Sequence, residues 1–64
     1  MKHKYRIQVQ SVPGPFAQYG PWWITAWVDD DEDLLHGAVR ELKRGAFHDR
    51  TLDMWRVVSS ERIS

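Results

Sequence analysis

The hydrophobic pattern of this chain changes period along its length, and that change limits the folds open to it. In residues 4–12, KYRIQVQSV, polar and apolar side chains alternate strictly. Tyr5, Ile7 and Val9 fall on one side, and Lys4, Arg6, Gln8 and Gln10 on the other. Period two with one polar side describes a strand buried on one face only. Further along, Leu34, Leu35, Ala38, Val39 and Leu42 recur at helical spacing and form one apolar stripe. A chain that supplies one-faced strands and a single amphipathic helix can build one sheet with one covering layer.

Between these segments, residues 13–21, PGPFAQYGP, contain three prolines and two glycines and read as a long loop, with Phe16 and Tyr19 folding back over an end of the core. WWITAWVD, residues 22–29, is dense in β-branched and aromatic residues and reads as a second strand. Asp29 with Glu32 three residues later matches a capping box, and Gly45 follows Lys43 and Arg44 as a C-terminal cap would. The spacing therefore predicts a helix over about residues 30–44. AFHD reads as a connector, and TLDMWRVVSS, residues 51–60, as a third strand. The expectation is a single α+β domain over residues 1–64, a small three-stranded sheet in the order β-β-α-β with one helix packed on one face. If the second and third strands were neighbours, their helical crossover would be parallel and right-handed.

With 64 residues the chain is near the lower limit for independent folding, and it has no cysteine to supply a disulfide or thiolate zinc site. Four tryptophans, two tyrosines and two phenylalanines are the available substitute for such staples, since each buried ring removes about 150–250 Å² from water. Self-association is the other remedy. The missing cysteines fit a reducing cytoplasm, and no apolar run approaches the roughly 20 residues of a membrane span. A soluble cytoplasmic protein is expected. The formal net charge is zero, which argues against bulk attraction to nucleic acid. Its distribution is uneven: Lys2, Lys4 and Arg6 are unopposed by any acid before the acidic run DDDED at residues 29–33.

Three tryptophans lie in nine positions, GPWWITAWV, and the second strand offers two faces for them. One carries Trp22, Ile24, Ala26 and Val28, the other Trp23, Thr25 and Trp27. If the first is the core, Trp23 and Trp27 stand on an open face with Lys4, Arg6 and Gln8, where the third strand could add Met54 and Arg56. Trp55 and Val57 would then point inward. In the alternative, Gly37 and Ala38 leave the helix slim enough to admit Trp23 and Trp27 underneath. The first arrangement defines a candidate binding set of Trp23, Trp27, Arg6, Met54, Arg56 and Tyr19.

Other chemistries find little support. A calcium loop begun at Asp29 needs glycine at its sixth position and glutamate at its twelfth, and finds Leu34 and Arg40. Carboxylates at a helix start are favoured by the helix dipole, with Asp30, Asp31 and Asp33 left over as a candidate acidic recognition patch. Glu32 and His36 share a helix face without a third ligand, and His48 and Asp49 have no nucleophile pattern near them. Arg40, Lys43 and Arg44 read as a solvated helix face, followed by Arg50. No catalytic residue, metal site or cofactor is expected.

The order of elements is carried by a strand ending in WVDDDED, one amphipathic helix, and FHDRTLDMWRVV as the closing strand. It resembles the small β-β-α-β proteins that phages and mobile elements direct against host machinery, anti-CRISPR proteins among them. That resemblance implies a stoichiometric inhibitor that occludes a host protein surface or a nucleic-acid groove, and it transfers no binding residue. The expected function is a non-enzymatic protein-binding module, with homodimer formation open to it. Single-stranded nucleic-acid binding through the aromatic and basic sheet face, or a structural role in a larger assembly, are the alternatives.

Overall fold

The computed structural model describes residues 1–12, 19–45, 47 and 51–64. The predicted contributions of Phe16, His48, Asp49 and Arg50 lie outside the described residues. Strand β1 spans Lys2–Ser11, β2 Trp22–Asp29 and β3 Trp55–Arg62, with helix α1 at Leu34–Leu42 and a 3-10 turn at Leu52–Met54 ahead of β3. The sheet has the order β2-β1-β3, and both edge strands run antiparallel to β1. This is the predicted α+β arrangement. Because β2 and β3 are separated by β1, they are parallel to each other without being neighbours, and α1 crosses from one edge of the sheet to the other.

The core lies between α1 and one face of the sheet. Ile7 and Val9 of β1, Ala26 and Val28 of β2, Trp55 of β3 and Ala38, Val39 and Leu42 of α1 are buried together. The alternation read in β1 thus faces as expected, and strand β2 buries its smaller, branched side. Ser11 is the buried polar residue, and its hydroxyl accepts a hydrogen bond from the Tyr19 N–H at 2.6 Å. The Ser11 N–H donates in turn to the Tyr19 carbonyl at 2.9 Å, which closes the β1–β2 connection.

Several boundaries differ from the sequence reading. The helix starts at Leu34, and its N-cap is Asp33, whose carboxylate accepts from the Leu35 N–H at 3.1 Å. Asp29 cannot cap because it is still in the ladder, paired with Lys2, and its carbonyl accepts from the Glu32 N–H in an intervening turn. At the other end Lys43 is the cap, in right-handed conformation, so Gly45 is not called on for a left-handed turn. Residues 52–54 coil before β3 begins, and β3 continues past the predicted end at Ser60 to Arg62. A β-bulge interrupts its pairing: Gln8 faces Ser59 while Val9 faces Val57, leaving Val58 as the extra residue.

Two glycines carry backbone approaches that other residues would obstruct. Gly20 has φ +88°, and a Cβ there would sit 2.7 Å from the Val9 carbonyl oxygen. Gly37 lies where α1 touches β2, and a Cβ would meet Val28 Cγ2 at 2.5 Å. Val28 is fully buried and β-branched, so it has little freedom to move aside. A Gly37→Ala change should gain about 1 kcal/mol of helix propensity and lose about 1–3 kcal/mol to overpacking. The expected net effect is destabilisation in chemical denaturation. In a Val28→Ala background the same change should become neutral or stabilising, giving a coupling between the two positions.

Candidate functional site

On the sheet face away from α1, Trp23 is 43% and Trp27 52% exposed, with exposed Thr25 between them. The register sets Trp27 opposite Lys4, Thr25 opposite Arg6 and Trp23 opposite Gln8. Diagonal to its own partner, Arg6 places Cζ 4.4 Å from the Trp23 ring centroid, a cation–π contact. On its other side Arg6 faces Glu61 of β3, with the charged groups 3.8 Å apart. Arg56 pairs with Gln10 and donates to its side-chain carbonyl at 3.0 Å. Four of the six candidate residues, Trp23, Trp27, Arg6 and Arg56, therefore share one open face. Around the outer edge of β2, Trp27 also borders a shallow groove with Arg40 and Arg44 of α1.

The other two stand elsewhere. Met54 belongs to the 3-10 turn rather than to β3, so the strand alternation that would have aimed it at the open face does not reach it. Tyr19 is half-buried on the helix side, held there by its backbone pairing with Ser11. Its ring lies 5.1 Å from Phe47 and 5.9 Å from Trp22 between centroids. Trp22 and Phe47 both also approach Trp55, so these four rings seal one end of the core. This cluster was not foreseen: Phe47 sat in a segment read only as a connector.

The acidic run is divided among local tasks. Asp29 accepts from the chain's amino group at 3.0 Å, and Asp30 lies 3.1 Å from His3 Nε2 and 3.4 Å from the same amino group. Asp33 caps α1, and Asp31 stands exposed. Glu32 receives Arg40, with Nη1 2.5 Å from Oε2 and Nη2 3.2 Å from Oε1. Asp30, Asp31 and Asp33 are all exposed, with Asp30 engaged by His3 and Asp33 by the helix start, while Asp31 and Asp33 line one shallow depression with Glu32 and His36. Arg40 also donates to the Trp27 carbonyl at 2.6 Å, a reach of 13 residues. Neither partner of Arg40 is at helix-neighbour spacing, so no sequence rule pointed to it.

Among the described residues no group of three or more His, Cys, Asp or Glu side chains is placed to hold a metal ion. Among the same residues no helix is long and apolar enough to cross a membrane. No family model, no curated protein and no solved structure matches the chain. The site is therefore argued from its own chemistry.

Two expectations follow. Trp55 is 2% exposed, so Trp55→Ala should cost about 3–5 kcal/mol in denaturant unfolding. Trp23→Ala and Trp27→Ala, on the open face, should each cost about 1 kcal/mol or less. The second concerns pH. The hydrogen bond from Arg40 holds the Glu32 carboxyl below its ordinary value of 4.5. A carboxyl depressed in the folded state stabilises above its unfolded pKa and loses that contribution as pH falls through the folded one. Stability followed by circular dichroism from neutral pH downward should fall less steeply below about pH 4.5 in Glu32→Gln than in the parent.

Proposed function

We propose that this protein is a non-enzymatic protein-binding module whose contact surface is the open sheet face bearing Trp23 and Trp27. The observation that carries the proposal is the pair of half-exposed indoles on the sheet face away from α1, bordered by Arg6, Lys4 and Arg56. Interface centres are enriched in Trp and Arg, and such residues dominate binding energy when truncated. A standard interface takes about 800 Å² from each partner, roughly a fifth of the 4309 Å² this chain exposes. One sheet face together with the β2 edge groove is a surface of that order. In its simplest form the domain acts by occlusion, as the resemblance to small phage and mobile-element inhibitors implies.

The same face supports the nucleic-acid reading less well. A base-stacking platform needs a free aromatic face and uncommitted cations. Here Arg6 already lies over Trp23 and beside Glu61, and Arg56 is engaged by Gln10. The electrostatics are those of a mixed polar rim rather than a phosphate track.

The test compares the parent with Trp23→Ala and Trp27→Ala, each verified as folded, as baits in extracts of the source organism with and without nuclease. A protein retained by the parent despite nuclease, and bound at least about thirtyfold more weakly by the variants in direct titration, is the expected result. Retention abolished by nuclease, with binding to single-stranded oligonucleotides that weakens steeply with salt, would overturn it in favour of nucleic acid.

A further inference from the structure

The two edges of the sheet are treated differently. The Lys4 carbonyl accepts from the Ile63 N–H on the β3 side, so Lys4 presents its backbone groups to β3. Opposite it in the antiparallel ladder, Trp27 must then direct its carbonyl outward, at the free edge of β2. Arg40 occupies that carbonyl. One outward carbonyl of the β2 edge, toward the C-terminal end of the strand, is thus taken by a side chain from α1. β3 is the other edge, and its residues from Val58 to Arg62 are all exposed.

We propose that the outer edge of β3 pairs antiparallel with β3 of a second copy, joining two domains through a continuous six-stranded sheet. The register that overlaps all eight residues of the strand sets Trp55 against Arg62 of the other copy, Arg56 against Glu61, Val57 against Ser60 and Val58 against Ser59. Three features of β3 agree with it, the first two set together by the bulge. The first is face. Arg56 and Glu61 are five positions apart and in a regular strand would stand on opposite sides. The bulge at Val58 puts both on the open face, where Arg56 meets Gln10 and Glu61 meets Arg6.

The second feature is backbone direction. Arg6 and Gln10 share the parity of Lys4 and face β3, so their partners Glu61 and Arg56 turn their N–H and C=O groups inward to β1. Trp55 and Val57 before the bulge, and Ser60 and Arg62 after it, turn theirs outward. The register matches outward groups with outward groups, Trp55 with Arg62 and Val57 with Ser60. The third feature is charge. Arg56 and Glu61 of opposite copies become close, non-hydrogen-bonded pairs, where cross-strand side chains approach most nearly, and two-fold symmetry makes this contact twice. A bulge ordinarily guards an edge against pairing. Here it brings faces, backbone and charges into one register.

The pairing does not use Trp23 or Trp27 and shares with the proposed binding face its rim residue Arg56 and Glu61, the partner of Arg6, so self-association is measured on the protein alone, apart from partner capture. Sedimentation equilibrium over a wide concentration range, on the parent and on exposed-surface variants checked for native circular dichroism, provides the test. The parent should show a reversible monomer–dimer equilibrium. Arg56→Glu alone sets Glu against Glu twice, and Glu61→Arg alone sets Arg against Arg twice; each should weaken dimerisation by about tenfold or more. Mixed in equal amounts, the two variants restore both opposite-charge pairs and should form a heterodimer close to parental affinity. A parent that stays monomeric, single variants that dimerise like the parent, or a mixture that fails to recover would each overturn the proposal.

Discussion

Among the described residues one nine-residue helix is the only regular layer set against this three-stranded sheet, and the rest of the structure follows from that shortage. The helix can cover one face, so the apolar stripe of α1 selects the side of each strand that is buried. It does so through a close contact: Gly37 leaves no room for even a Cβ against Val28. That approach makes Ala26 and Val28 interior and drives Trp23 and Trp27 outward. The exposure of two indoles is thus a consequence of where the helix sits, on a strand whose opposite face is just as apolar.

How far this was legible in the sequence depends on whether the deciding contact was local. The two faces of β1 could be read, because its polar and apolar sides differ and period two is a property of neighbouring residues, although the strand runs from Lys2 to Ser11 rather than over residues 4–12. β2 could be read as a strand but not oriented, since Trp22, Ile24, Ala26 and Val28 compete with Trp23, Thr25 and Trp27 on nearly equal terms. The tie is broken by Gly37 and Val28, nine positions apart and on different elements. The helix start was misplaced because Asp29 satisfies a capping pattern while its backbone is held in the ladder by Lys2. Met54 was placed on the strand for a similar reason: nothing in TLDMW marks where coiling ends and pairing begins. Trp23, Trp27, Arg6 and Arg56 share the open face because strand parity groups them and the contact of Gly37 with Val28 chooses which side of β2 is turned outward.

Long polar side chains then finish what a small core cannot. Arg40 spans from α1 to both Glu32 and the Trp27 carbonyl, tying the helix to the β2 edge and to the turn that precedes it. Because this guanidinium satisfies a backbone acceptor that strand pairing would otherwise use, one contact contributes to tertiary packing and occupies part of the β2 edge. Trp55, at the other end of the core, pays for its burial in a different way: among the described residues its indole N–H has no acceptor, a cost of about 1–3 kcal/mol offset by the area its ring removes from water.

The proposed edge pairing at β3 would also change what the open face can do. A two-fold axis normal to the sheet keeps both helices on one side and both pairs of indoles on the other, so a dimer presents Trp23 and Trp27 twice on a single surface. A partner with two equivalent sites would meet the second face at high effective concentration, and avidity would then exceed the affinity of either face alone. A partner with one site would gain nothing from the second copy. The stoichiometry of a complex therefore reports on β3 as well as on the tryptophans. Loss of the Arg56–Glu61 pairs should therefore weaken a bivalent complex more than a monovalent one.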